Sequence, residues 1–229
     1  DSNLILKGKD PTIVSETLTK ELENVNDWFS ANKLLLNADK TKLIVFKSRK
    51  CRKDLTAPPV VLNGIELKQV TNERFLGVQI DDILKWYDHT MKISNCISKK
   101  IGMMSRVKNF VSKATLKTFY SCFVEPHLIF GITLWGATFD KGLSRLQKLQ
   151  KKAIRLLTGA KRMDHSEPRL KNLGILKLVD LHKMHTICLT YDCLEGEVPE
   201  NLKNLFTYTG EAGGIRTRSQ TGKPLDIKL

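Results

Sequence analysis

Residues 37–41 read Asn-Ala-Asp-Lys-Thr, and an apolar run, Leu43-Ile44-Val45-Phe46, leaves them. Asn37 and Asp39 are side chains that hold a turn by bonding backbone groups two residues on. A turn fixed in that way presents the Lys40 ammonium from a short rigid connection rather than from a loose loop. Read alone, Asp39-Lys40 is also an ordinary solvent-facing pair in a hairpin. A second group of reactive side chains is His182, His185, Cys188 and Cys193. Imidazoles and thiolates are zinc ligands. No CxxC knuckle is present, however, and Leu181, Met184, Cys188 and Tyr191 fit one helical stripe, so the sequence favours a packed helix and no metal site. A third group is cationic: Lys99, Lys100, Arg106 and Lys108, then Lys148, Lys152 and Arg155. Lys148, Lys152 and Arg155 are spaced by four and three, which puts them on one helical face, as phosphate contacts along a strand require. For any single lysine, a solvated surface is the plainer reading. There is no Ser-His-Asp arrangement, no GxxxxGK loop and no endonuclease motif.

The bulk numbers agree with a polyanion as partner. The 229 residues carry 38 Lys and Arg against 24 Asp and Glu, a formal charge of +14, and the pI is about 9.6. This excess exceeds the ~2–8 charges that solubility asks of a small domain, and it attracts nucleic acid or an anionic surface. With 41% hydrophobic residues the chain can build a core. No apolar run reaches the ~18 residues that span a bilayer. Five cysteines, an odd number with no close pair, point to reduced thiols and a cytoplasmic or nuclear setting.

These side chains must be held by elements. Asp10-Pro11 caps a helix over 11–32, with Leu18, Leu22, Val25 and Phe29 on its inner face. Residues 34–36 and 41–46 read as extended segments around the Lys40 turn, and 48–59 as a loop. Asn63-Gly64 between apolar triplets predicts a hairpin with a type I′ turn. Residues 75–80 form another β-like run. From 86 to 107 the rhythm is helical. Ser112 caps a helix to about 124, Glu125-Pro126 interrupts it, and 127–137 reads as a packed helix with Trp135 and Phe130 in the core. A clear helix follows at 143–157, ended by Gly159, with Leu146, Leu149, Ala153, Ile154 and Leu157 facing inward. Ser166 caps a short helix, and another runs from Asp180 to about 194. The fold class expected is α+β: antiparallel strands with one helix, then a mainly helical remainder.

The order Asn-Lys-Leu-x-Leu-Asn-x-Asp-Lys-Thr, strand, hairpin, Phe-Leu-Gly-Val-x-Ile-Asp resembles the back half of the palm in reverse transcriptases of non-LTR, LINE-like retrotransposons. Later segments agree in order: Leu84-Lys85-Trp86-Tyr87-Asp88-His89, Glu125-Pro126-His127-Leu128-x-Phe130-Gly131, Trp135-Gly136, Leu146 to Arg155, and Leu173-Gly174-Ile175-Leu176. The resemblance runs from Asp1 to about Leu194. It implies a palm remnant over 1–84, a helical thumb over 85–160 and a helical extension over 161–196. Residues 197–229 would be a flexible basic tail. It implies that Lys40 lies beside the incoming nucleotide, where it could neutralise or protonate the leaving pyrophosphate. Phe75, Leu76 and Gly77 match the motif that supports the primer 3′ end, and Asp1 aligns with the second aspartate of the aromatic-Ala-Asp-Asp motif.

The partners implied are an RNA template, an RNA–DNA or DNA primer duplex, and the rest of a parent polyprotein: fingers, palm and endonuclease. Membrane is not among them. Mg2+ would belong to the complete parent enzyme, and this chain alone would hold no cofactor. Because polymerisation needs two metal ions held by several carboxylates, the sequence reads as a fragment of an RNA-directed DNA polymerase that does not polymerise by itself. The alternatives are a non-catalytic nucleic-acid-binding protein from a decayed or host-retained transposable element, and a helical interaction scaffold with an incidental basic face.

Overall fold

A computed structural model describes residues 2–48, 58–138, 141–161 and 164–203, and the backbone of 206–208 and 225–227. Asp1, Cys51 and Arg162 lie outside the described residues, as do 49–57 of the expected loop. The chain is α+β and forms two compact units, residues 1–92 and 93–229.

The first unit opens with α1 (Pro11–Ala31). Asp10 caps it as anticipated, accepting from the Thr12 N–H at 2.9 Å, and Pro11 occupies the first turn. Its inner face carries Leu18 and Leu22 onto the buried cluster of Val60, Leu62 and Leu67, joined by Leu36, Ala38 and Leu43. The Ser15 hydroxyl, buried among these groups, donates to the Pro58 carbonyl at 2.8 Å. Residues 34–36, expected to be extended, take no part in a sheet, and only β1 (Lys42–Leu43) of 41–46 does. The hairpin at Asn63-Gly64 joins β2 (Val61–Leu62) to β3 (Ile65–Glu66). Its turn residues have φ of 52° and 76°, the two positive values of a type I′ turn. Beyond it, β4 (Lys68–Gln69) pairs with β1 in parallel.

The run at 75–80 is not one strand. β5 (Asn72–Phe75) and β6 (Val78–Asp81) pair antiparallel, and Leu76-Gly77 is the two-residue turn between them. Both turn residues have positive φ, 44° and 88°. Glycine takes this conformation without strain, and leucine does not. The apolar sequence hid the turn, because Leu76 breaks the residue preference by which such turns are recognised.

Helix α2 (Tyr87–Val107) crosses the division at Lys92 and Ile93. Both carboxylate oxygens of Asp81 prepare its start, accepting from the N–H groups of Lys85 at 2.8 Å and Trp86 at 2.9 Å.

In the second unit, Ser112 caps α3 (Lys113–Phe123) through the Thr115 N–H at 3.1 Å. The helix expected over 127–137 is two short ones, α4 (Glu125–Ile129) and α5 (Ile132–Trp135), broken at Gly131 with φ 62°. Trp135 is buried and its indole N–H donates to the Phe130 carbonyl at 2.9 Å, but Phe130 itself is exposed. α6 (Lys141–Thr158) presents Leu146, Ala153, Ile154 and Leu157 to the core, with Leu149 half-buried. α7 (Glu167–Leu173) begins after Ser166, whose side chain makes no capping bond, its φ of -87° and ψ of -17° being helical rather than the extended angles of a cap.

α8 (Leu178–Glu195) packs on α4, α5 and α6. Gly136 permits the close approach of α8, since a Cβ there would lie 2.4 Å from His182 Cδ2. Of the stripe read as core on α8, Leu181 is buried, whereas Met184, Cys188 and Tyr191 are exposed. The neighbours of α8 cover its other side, so helical spacing named a stripe but not the side that packs. Within 197–229, expected to be a flexible tail, Glu200–Lys203 is a helical turn, α9, and β7 (Phe206–Tyr208) pairs with β8 (Leu225–Ile227). The remainder of that segment lies outside the described residues.

Among the buried polar side chains of the second unit, Gln150 joins three elements. Its amide nitrogen donates to the Tyr120 hydroxyl at 3.2 Å and the Leu176 carbonyl at 2.9 Å. Its amide oxygen accepts from the Leu178 N–H at 2.9 Å. One glutamine thus ties α6 to α3 and to the start of α8. Burial pushes the Tyr120 phenol up to about 12, against the opposing pull of the Gln150 bond.

Candidate nucleic-acid interface

The cationic face of α6 is half of a groove. Lys148 and Lys152 are exposed on it, one turn apart, and Arg155 follows three residues later. Lys108, just past the end of α2, stands across from them, and Leu156, Gly159 and Ala160 complete the lining. The groove encloses about 670 Å³ and is open to solvent. Four of its seven lining residues are permanent cations and none is acidic. Gly159, one of the lining residues, ends α6 with φ 68°, the left-handed conformation that commonly terminates a helix.

Four of the seven candidate phosphate contacts therefore meet in one place: Lys108, Lys148, Lys152 and Arg155. Lys99, Lys100 and Arg106 lie elsewhere on α2. Lys99 and Arg106, seven residues apart, share a stripe on that helix. Lys100 sits over the Phe123 ring, 5.2 Å from its centroid. It also helps burial to hold the His127 imidazole below its ordinary range.

The structure adds a residue that sequence reasoning missed. Arg155 Nε donates to the Asp164 carbonyl at 3.3 Å. The Asp164 carboxylate in turn accepts from the Lys161 N–H at 3.1 Å and from Arg169 at 2.8 Å. An acid among cations reads in sequence as charge balance, and nothing local signals that its backbone holds an arginine.

In the first unit, Lys40 is exposed on a turn that the Asn37 side chain holds as expected, whereas Asp39 takes part through its backbone carbonyl, which accepts from Lys42 Nζ at 2.5 Å. Asn37 is the organiser: the Lys40 N–H donates to Asn37 Oδ1 at 3.2 Å, and the Thr41 hydroxyl donates to the Asn37 carbonyl at 2.9 Å. Phe75, Leu76 and Gly77 sit at the tip of the β5–β6 hairpin, with the Leu76 side chain 63% exposed. Asp1 lies outside the described residues.

Donors for a divalent ion do not fit among the described residues. No group of three His, Cys, Asp or Glu comes together there, including His182, His185, Cys188 and Cys193. Asp81 is engaged by two backbone N–H groups and Asp82 by Lys47 at 3.4 Å. Among the described residues no helix is long and apolar enough to cross a membrane.

Comparison with known proteins connects this chain to one group. It is 24% identical over 194 residues to the RNA-directed DNA polymerase from mobile element jockey of Drosophila melanogaster, covering 83% of this chain and 20% of that one. It is 23% identical over 164 residues to the probable RNA-directed DNA polymerase from transposon X-element of the same fly, covering 70% of this chain and 18% of that one. The jockey polymerase of Drosophila funebris is 25% identical over 151 residues, 64% of this chain and 16% of that one. The chain therefore spans about a fifth of the length of the first two relatives. No family model matches it, and no solved structure does. The chain is a relative of the RNA-directed DNA polymerases of non-LTR, LINE-like retrotransposons.

Proposed function

We propose that this chain is the part of a retrotransposon RNA-directed DNA polymerase that grips the template–primer duplex, with the groove beside α6 as its phosphate contact. The observation that carries the reading is the groove itself, with four cations and no acid, in a relative of nucleic-acid polymerases. Lysine and arginine there neutralise phosphates and release condensed counterions without reading base sequence.

On this reading residues 1–84 end a palm and 85–160 form a thumb. Lys40, exposed on its Asn37-held turn, serves the triphosphate. The exposed tip at Phe75, Leu76 and Gly77 supports the primer end. RNA template and hybrid duplex are the substrates, and fingers, upstream palm and Mg2+ belong to a longer parent. A chain covering a fifth of its polymerase relatives is not expected to extend a primer alone. Detectable Mg2+-dependent extension by the purified 229-residue chain would sink that part of the reading.

The direct test is a salt titration of binding to a labelled RNA–DNA hybrid. Affinity should fall steeply with added salt, by a logarithmic slope of about 0.7–0.9 per phosphate neutralised. Replacing Lys148, Lys152 and Arg155 together by alanine should reduce that slope by about two to three. Binding that hardly responds to salt, or a slope the triple variant leaves unchanged, would remove the groove from the function.

A further inference from the structure

The structure assigns Asp164 as a positioning residue that holds the Arg155 guanidinium ready for phosphate; the assignment rests on the phosphate-groove reading above. Asp164 meets Arg155 through its main chain and the rest of this corner through its carboxylate. Its backbone carbonyl accepts from Arg155 Nε at 3.3 Å. Its carboxylate fixes where that carbonyl lies, through the Lys161 N–H at 3.1 Å and Arg169 Nη2 at 2.8 Å. The Asp164 N–H also donates to the Lys161 carbonyl at 3.2 Å. An arginine has five N–H donors in a rigid fork. With Nε held by a carbonyl, the fork is oriented before any ligand arrives, so less side-chain entropy is lost on binding. Lysine has no such second point of attachment, so Lys148 and Lys152 serve the groove as mobile charges and Arg155 as an oriented one.

The assignment makes a prediction opposite in sign to simple electrostatics. Asp164 is a negative charge next to a cationic groove, and its loss should by charge alone strengthen binding of any polyanion. If it positions Arg155, Asp164→Ala should instead weaken binding of the RNA–DNA hybrid by roughly three- to tenfold, in the lower part of the range of couplings within one hydrogen-bond network. Asp164→Asn keeps an amide oxygen for the Lys161 N–H and should restore most of the affinity. On an Arg155→Ala background, Asp164→Ala should cost nothing more. Arg169→Gln removes one anchor of the Asp164 carboxylate and serves should Asp164→Ala not fold, but through the exchange readout below, because the loss of a cation weakens polyanion binding by charge alone.

A second readout does not depend on nucleic acid. The Arg155 Nε–H should exchange slowly with solvent in the parent chain and in Asp164→Asn, and rapidly in Asp164→Ala or Arg169→Gln. Tighter or unchanged binding by Asp164→Ala, or a loss that persists in full without Arg155, overturns the assignment. So does an Arg155 Nε–H that exchanges freely in the parent. If the parent chain does not bind the hybrid while its Arg155 Nε–H is protected, the phosphate reading fails and the geometry stands.

Discussion

At the scale of single residues, two side chains sit where their types are least comfortable. Leu76 holds φ at 44° in the β5–β6 turn with its side chain in water. A left-handed leucine costs about 1–2 kcal/mol, and an exposed side chain offers little burial to offset it. Asparagine tolerates this conformation, so Leu76→Asn should stabilise the first unit by about 1 kcal/mol, read from urea denaturation. A strained residue that persists at an exposed tip points to use elsewhere, and the same variant should bind a primed hybrid more weakly than the parent. A destabilised Leu76→Asn would show that the strain argument misjudges this turn. Gln150 is the opposite case, a polar group deep in the core with both amide hydrogens and the amide oxygen bonded. Gln150→Leu conserves most of its volume but strands the Leu178 N–H and the Leu176 carbonyl. Each unmet buried group costs ~1–3 kcal/mol, so thermal denaturation should show a loss of about 2–5 kcal/mol. A loss below about 1 kcal/mol would mean that water or a rearranged backbone replaces the lost partners.

At the scale of elements, the β5–β6 hairpin is tied to the first turn of α2 through Asp88, which accepts from the Asn72 amide, and through His89. The Gln79 N–H donates to His89 Nδ1 at 3.1 Å, which requires that nitrogen to be unprotonated. Burial, helped by the Lys92 charge, lowers the His89 pKa to about 4. The sign follows from the unfolded chain, whose histidine takes up its proton near 6.5 while the folded one resists until about 4. The stability this contributes is therefore full above 6.5 and is lost as the pH falls from there to about 4, up to roughly 3 kcal/mol in all. Hydrogen exchange of the β5 and β6 amides at pH 7.5 and pH 5 measures it locally, apart from His127, whose lowered pKa acts with the same sign in the other unit. His89→Gln should flatten the dependence, and an equal slope in that variant would exclude His89 as its origin.

Legibility in sequence divides along the same line of local against distant. The Ser112 cap, the Asn63-Gly64 turn and the inner face of α6 depend on neighbours within four residues, and spacing reveals them. Leu76-Gly77 was hidden because its first residue is not a turn former. The exposed side of α8, and the grouping of Lys108 with α6 rather than with Lys99 and Arg106, are set by tertiary packing that periodicity does not contain.

At the scale of the whole molecule, the +14 charge acts in two directions at once. The described residues form three side-chain ion pairs: Lys47–Asp82, Arg169–Asp164 and Lys177–Glu167. Such pairs contribute ~0–1 kcal/mol each where they face solvent, and Lys47–Asp82 alone is partly buried on both sides. Against them stands the mutual repulsion of 38 cations partly balanced by 24 anions, which a salt solution screens within a Debye length of ~8–10 Å near 0.1 M. Repulsion outweighs the few attractive pairs, so raising salt from about 0.05 to 0.5 M should stabilise the free chain. The same change should weaken its hold on a nucleic-acid duplex by orders of magnitude, because phosphate contacts are replaced by counterions. Saturating hybrid at low salt should compensate: a ligand at about a hundred times its Kd adds ~2.7 kcal/mol to the folded state. The melting temperature of the free chain should thus rise with salt and that of the complex fall, until the two curves meet where the duplex is released. Free and bound curves that rise in parallel would mean that the charge serves solubility alone, and that the groove beside α6 holds no phosphate.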